Sequence, residues 1–339
     1  MTRDEPFGCA VAGLAVGQAD IQMSQPVLLL VFNRPDTTKV VFDAIRASRP
    51  PRLYVASDGA RPTRDGESSV VQMVRNLSTD VDWDCDVFTL FREENLGCRR
   101  AVSGALDWFF AHEECGIVLE DDCVPDPSFF QFADETLHRF AHDERVMLIS
   151  GIYPVLGGYK NSNSYLFSRY VDCWGWASWR RAWHLYDHDM ALWPALRDTA
   201  WLSSIGGGSR LFVRYWRGIF DAAYSGAIDS WAYRWLFSCW AQHGLAVVPA
   251  YNLVQNIGFG SNATHTFDGG SSLAKADLQQ MSFPLVHPNG MTCDPSFDRW
   301  VDQNVFGITL RAALKDQVRA LPGGDLLAAG YHKLRSIGK

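Results

Sequence analysis

The first 140 or so residues alternate between short apolar runs and segments whose apolar residues recur at helical spacing. Pro26-Val-Leu-Leu-Leu-Val-Phe32 carries no charge at all. Ile117-Val118-Leu119 has the same form, while Arg52-Leu-Tyr-Val-Ala-Ser57 and Asp86-Val-Phe-Thr-Leu-Phe91, each charged only at its first residue, are the second and third strand candidates. Continuous apolar runs of this length, rich in β-branched residues, predict strands buried on both faces of a parallel sheet. Between them, helices are predicted from about Thr37 to Ala47, near Val70 to Leu77, and from Arg99 to His112. In the first of these, Val40, Val41, Ala44 and Ile45 are expected to face the sheet. A further helix opens at Asp126-Pro127, with Asp as cap and Pro at the first helical position. Phe129, Phe132, Ala133, Leu137 and Phe140 line one side of it. Four strand–helix alternations predict an α/β protein built on a doubly wound, mostly parallel sheet.

Each predicted strand runs out into polar residues: Asn33 and Arg34, then Asp58, then Asn95, then Glu120-Asp121-Asp122. In an open parallel sheet these four endings share one edge, where ligands of such folds bind. The acidic triplet matters most. Adjacent carboxylates at a buried strand end repel one another unless a positive charge joins them. Hard oxygen ligands suit Mg²⁺ or Mn²⁺, and those ions bridge to phosphates. A solvated acidic turn is the plainer reading of such a triplet. The buried strand before it and the Pro-capped helix behind it favour a metal site for a phosphorylated ligand.

The second half reads differently. Val146-Met-Leu-Ile-Ser150 and Leu245-Ala-Val-Val-Pro249 are strand candidates. Between Tyr153 and Trp240 the chain is crowded with tryptophans, most of which are expected to fill a core. Trp174 and Trp176 are the candidates for a ligand wall, because Gly175 between them lets backbone approach closely. Asp229 precedes an apolar helix, Trp231 to Trp240, and could cap it or serve as a base. Asp172, beside the Trp174-Gly175-Trp176 segment, is the fallback base. Residues 256–266 form a Gly/Ser/Asn/Thr loop that includes Ser261 and His265. Its composition suits a phosphate-cradling lid.

Composition narrows the field. A chain of 339 residues that is 47% hydrophobic can build a full core in one large or two small domains. A net charge of −7 without a long basic run argues against a nucleic-acid partner. None of the eight cysteines forms a CxxC pair, so they read as reduced thiols. Residues 1–24 lack the basic start and apolar centre of a signal peptide and are expected to be a loose leader. No apolar run reaches 18 residues. After about Phe283 the pattern weakens into a helical extension, 283–339, broken at Pro322-Gly-Gly324. Its basic bias makes it a candidate for peripheral contact with an anionic membrane face. The expectation is a cytoplasmic protein.

With these residues in view, the chain resembles the glycosyltransferases of the GT-A, or nucleotide-diphospho-sugar transferase, fold. The likeness is greatest to the N-acetylglucosaminyltransferase I group and the bacterial family 2-like proteins. Glu120-Asp121-Asp122, followed by Asp126-Pro127-Ser128-Phe129-Phe130, is similar to the family's acidic motif. Asn33-Arg34-Pro35 resembles its nucleotide-contacting turn, and Ser57-Asp58-Gly59 the segment that holds the base. Asn95-Leu96-Gly97 looks like its Asn-x-Gly loop. Trp174-Gly-Trp176, Asp229-Ser-Trp231 and the Gly-Ser-Asn loop recur in the family's order. The likeness spans residues 25 to 270.

The resemblance implies a catalytic domain over 25–282, with a nucleotide-binding half (25–150) and an aromatic-rich acceptor half (151–282). It implies a nucleotide-sugar donor, with UDP favoured, and a glycan or lipid-linked saccharide as acceptor. By it, Asp122 and His265 hold the metal. Asn33, Arg34, Asp58, Asn95, Glu120, Asp121, Trp176 and Ser261 contact the nucleotide sugar, and Asp229 is the general base of an inverting transfer. Ser230 stands where the family carries a second acid. A retaining transferase, a metal-dependent phosphohydrolase and a non-catalytic carbohydrate binder are the alternatives.

Overall fold

Three of the four apolar runs become strands buried from both sides, whereas Asp86–Phe91 forms the sheet edge and is exposed over its first four residues, against the expectation of burial. In the computed structural model, which describes residues 23–155, 162–259 and 276–311, β1 (Val27–Val31) is buried along its whole length. Around it lie β2 (Arg52–Ser57), β3 (Asp86–Phe91) and β4 (Cys115–Glu120). Helices α1 (Pro35–Ser48), α2 (Glu67–Ser78) and α3 (Gly97–His112) make the crossovers between them. Pairing is parallel throughout this half, in the order β3-β2-β1-β4.

The sheet then changes direction. β8 (Trp176–Trp179) lies antiparallel between β4 and β6 (Val146–Ser150). β9 (Leu245–Pro249) runs parallel to β6, and β7 (Tyr165–Ser168) closes the edge antiparallel to β9. The result is a mixed α/β fold around a large, mostly parallel central sheet of eight strands. Two short strands, β5 (Cys123–Pro125) and β10 (Val254–Asn256), pair apart from it as an antiparallel ribbon.

Helix α4 (Pro127–Arg139) starts as its sequence predicts, with Asp126 accepting from the Ser128 N–H at 2.9 Å. All five predicted apolar positions behind it are buried. In α1 the expectation needs one correction: Val40 is 47% exposed, while Thr38 and Phe42 take the inward positions. The inward stripe is thus 38, 41, 42 and 45, a regular 3–4 spacing.

Most tryptophans of the second half are core, with Trp174, Trp201 and Trp300 only partly buried at its margin. Trp176, Trp193, Trp216, Trp235 and Trp240 are among the largest fully buried side chains. Helix α8 (Arg210–Tyr224) and helix α9 (Trp231–Ala241) carry three of them. Between the two, rings meet edge to face, as with Trp216 and Trp240 at 4.9 Å between centroids. Arg234, buried in α9, is satisfied by the carbonyls of His188, Ser230 and Ala223. Three short helical turns, α5 (Arg180–Trp183), α6 (Trp193–Leu196) and α7 (Trp201–Ile205), lead into α8.

The last described helix, α10 (Pro295–Asn304), falls inside the stretch expected to be an extension, yet it belongs to the body. Phe297 and Val301 join the core. Asp298 accepts from the Ser168 hydroxyl at 2.5 Å, and Arg169 reaches Asp302 at 2.7 Å. Met23, at the end of the expected leader, is also in the core. Among the described residues no helix is long and apolar enough to cross a membrane. All seven described cysteines are free thiols.

Candidate active site

The carboxyl ends of β1, β2 and β4 share one edge, so their polar endings meet there. Asp121 and Asp122 are buried, at 8% and 7% exposure, and Glu120 is half-buried. Burial pushes the Asp121 carboxyl up to about 7, with Arg34 opposing the rise and Asp122 adding to it. Glu120 is also pushed up, first by burial and then by the charges of Asp122 and Asp121. Fully ionised, the turn would carry more negative charge than its surroundings accommodate, so the Glu120 and Asp121 carboxyls tend to hold their protons. Arg34 answers part of it, with Nη1 2.5 Å from Asp122 Oδ2 and 3.5 Å from Asp121 Oδ1. The Phe32 N–H at the end of β1 donates to Asp121 at 3.3 Å.

The ribbon brings the root of the 256–266 loop onto the same turn. Asn256 Nδ2 donates to Asp122 Oδ1 at 3.3 Å, and the Ile257 N–H donates to the Asp122 carbonyl at 2.8 Å. Gly258 passes so close that a Cβ there would overlap the Asp122 carboxylate. Phe259 meets the half-buried Trp174 edge-on at 5.6 Å. Ser261 and His265 lie outside the described residues.

Asp58 has a partner that the sequence did not suggest. Its carboxylate accepts from the Leu96 N–H at 3.0 Å and the Gly97 N–H at 3.0 Å. Leu96 cannot cap α3 with its own side chain, so an acid from the end of β2 does so, where the helix dipole favours it. Asn95 donates to the Gly59 carbonyl at 2.7 Å and fastens the same loop from the other side. Asp58→Ala should therefore cost about 1.5–3 kcal/mol, the usual worth of hydrogen bonds to a charged group. Urea unfolding checks this, and a loss below about 0.5 kcal/mol would exclude a capping role.

Asn33 donates to Glu67 Oε1 at 2.9 Å. Glu67 also receives the Arg61 guanidinium and, at 2.7 Å, the Arg61 N–H. Together Asn33, Arg61, Arg64 and Glu67 border an open cavity of about 370 Å³ beside the β1 turn. Arg61 and the neighbouring donors hold the Glu67 carboxyl down at about 2. Its folded value lies below its unfolded one, so its contribution is present above the unfolded value near 4.5 and is lost as pH falls toward 2. Wild-type melting temperature should fall over that window. Glu67→Gln should melt lower at pH 7 and lose that part of the pH dependence.

Asp229 is not the cap of α9. Ser230 is, its hydroxyl accepting from the Tyr233 N–H. Asp229 instead accepts from Arg99 Nε at 2.6 Å, and its side chain is 60% exposed. The other carboxylate oxygen lies 3.8 Å from where a Cβ on Gly97 would sit.

Cys98, directly after the Asn95-Leu96-Gly97 loop, reports the grouping. Burial raises its thiol to about 12, and the charges of Glu120, Asp229 and Asp58 add to the rise while Arg34 opposes it. Side chains from four separate parts of the chain, the last residue of β4 among them, thus act on one half-buried sulfur. Asp172 joins them: burial lifts it to about 6, the Trp174 N–H donates to it at 3.1 Å, and its charge helps raise Glu120.

Trp176 must be removed from the set. It is fully buried and stacks on Trp231 at 5.9 Å, so it packs the core and presents no face to a ligand. Gly175, at φ +64, bends close to Val254 rather than to an open cleft.

The donor chemistry around Asp122 suits a hard divalent cation, since all its acids are oxygen donors and their charge exceeds what Arg34 balances. Among the described residues no three His, Cys, Asp or Glu side chains are arranged to surround one ion. The fit is one of chemistry and charge, with the carboxylates turned toward Arg34 and Asn256.

No protein-family model matches the sequence, and no curated protein matches it. Among solved structures the chain is similar to HddC from Yersinia pseudotuberculosis, with 11% identity and a TM-score of 0.29 over 46% of this chain and 77% of that one. A likeness that slight carries no argument.

Proposed function

We propose that the chain is a GT-A-type glycosyltransferase that moves a sugar from a nucleotide-diphosphate sugar, UDP-linked in the first instance, to an acceptor hydroxyl on a glycan or lipid-linked saccharide. One observation carries the reading. Residues far apart in sequence, namely Arg34, Asp58, Glu120-Asp121-Asp122, Asp229 and Asn256, gather at the carboxyl edge of the parallel strands and around the start of α3. That edge is where open α/β sheets bind ligands.

In this reading Asn33, Arg34 and the Asp58-braced loop hold the nucleotide. Asp122, with Asp121 and Glu120 beside it, would hold Mn²⁺ or Mg²⁺. Such an ion, when bound, supplies Lewis-acid neutralisation of the leaving diphosphate. Asp229, exposed and free of capping duty, accepts the proton of the acceptor hydroxyl as that oxygen attacks the anomeric carbon. The sugar–phosphate bond breaks on the opposite face, and configuration inverts. Trp174 and Phe259 form an aromatic wall at the root of the loop, a surface suited to a sugar ring.

Asp172 is a second base candidate, favoured by its raised carboxyl beside Glu120. The test is mass spectrometry of products after incubation with a panel of nucleotide sugars, Mn²⁺ and saccharide acceptors. A transferred sugar supports the reading. Release of phosphate without transfer would point to a phosphohydrolase, and unaltered donors across the panel would count for a binding protein.

A further inference from the structure

We propose that Arg34 is a resident counter-ion of the acidic turn, which must leave Asp122 before a divalent cation can take its place. The proposal rests on the metal-dependent reading above and concerns how that site is regulated.

The backbone of Arg34 is fixed. It precedes Pro35 at the start of α1, and its carbonyl accepts from the Thr38 N–H at 3.0 Å and the Thr38 hydroxyl at 2.6 Å. A cation at a helix N-terminus is disfavoured by the helix dipole, so the helix itself gives Arg34 no reason to stand there. The carboxylates do: the guanidinium is 2.5 Å from Asp122 Oδ2 and 3.5 Å from Asp121 Oδ1.

Both carboxylate oxygens of Asp122 are engaged in this arrangement. Oδ2 is held by Arg34, and Oδ1 by Asn256 at 3.3 Å. The Gly258 backbone closes over the same carboxylate. A Mg²⁺ or Mn²⁺ ion needs a carboxylate oxygen at about 2.0–2.2 Å. A guanidinium on that oxygen blocks the approach and repels the ion. Arg34 is a long side chain on a fixed base, so it can swing while its backbone stays. A diphosphate arriving at the β1 turn offers it another anion with matching geometry. Metal and diphosphate would then favour each other's binding reciprocally, through exchange of one cation.

The test titrates Mn²⁺ alone into the full chain, wild type and Arg34→Gln, with free Mn²⁺ read by electron paramagnetic resonance. Removing the resident charge should tighten Mn²⁺ binding by about 5- to 150-fold, the usual span of coupling between two sites. In both backgrounds Asp122→Asn should abolish that binding. Equal or weaker binding by Arg34→Gln overturns the counter-ion role and leaves the metal reading standing. Absence of Mn²⁺ binding in wild type and variant alike overturns both. Melting curves check that the variants are folded. Should Arg34→Gln unfold, Arg34→Lys replaces it: a compact charge on a shorter reach should give an affinity above wild type, and an unchanged affinity overturns the proposal.

Discussion

Asp229→Asn should lower kcat by about 100-fold or more while leaving donor affinity and melting temperature nearly unchanged. The size follows from the usual contribution of a positioned base, about 10²–10⁴-fold. An amide oxygen cannot take the proton that a carboxylate takes. Stability should hardly move, because the cap of α9 is Ser230 and not Asp229. The Asp229 pair with Arg99 is largely exposed, and such pairs contribute about 0–1 kcal/mol. Ser230→Ala supplies the opposite result: a loss of about 0.5–2 kcal/mol from the missing cap, with turnover retained per folded molecule. The neighbouring residues thus separate helix capping from proton transfer. Turnover near wild type in Asp229→Asn would remove it as base and move the assignment to Asp172.

The largest effect on stability is expected at Trp216. Its ring is fully buried and lies 4.9 Å from Trp240, 5.6 Å from Phe220 and 4.8 Å from Phe306 between centroids. It therefore joins α8 to α9 and to the segment beyond α10. Trp216→Ala leaves a cavity that three rigid neighbours cannot fill, and should cost about 3–5 kcal/mol. That is a large part of a typical domain's 5–15 kcal/mol. Trp216→Phe should recover much of it. The indole N–H has no partner among the described residues, so Phe gives up volume and no hydrogen bond. Chemical unfolding measures both, and an Ala variant within about 1 kcal/mol of wild type would sink the claim.

The first half was legible because its chemistry is local. Arg52–Ser57, Asp86–Phe91 and Val146–Ser150 are strands over the residues their composition suggests. The Asp126-Pro127 helix start also needs only its neighbours. The same grammar recurs at Asp294-Pro295-Ser296-Phe297, where Asp294 accepts from the Ser296 and Phe297 N–H groups. That signal was available and would have found α10. Helix α8 was available too, from Phe212, Trp216, Phe220 and Ala223.

β8 was not legible. Trp176-Ala-Ser-Trp179 gives no alternation, because both faces of this strand are covered. The same dense aromatic packing made Trp176 look like a ligand wall.

At the site, the residue types at the strand ends could be read, but their partners could not. Asp58 finds its donors 38 and 39 positions away, and Arg99 finds Asp229 across 130. Nothing in a local window marks Ser230 above Asp229 as the cap, since both residues cap helices well.

The β5–β10 ribbon also has a consequence for synthesis. It pairs Cys123 with Asn256 and Pro125 with Val254, so the acidic turn is braced by residues translated long after it. Chains fold from the N-terminus as they emerge, at about 5–20 residues per second. For several seconds, then, the ribosome holds a chain with β1 to β4 already made and Asp122 lacking Asn256. During that interval Arg34, made earlier, is the partner at hand for the exposed carboxylates. A nascent chain stalled before residue 254 should leave the acidic turn open to solvent, and one stalled well beyond 259 should not. Proton-exchange labelling of the two stalled chains would register the difference at Glu120 to Cys123.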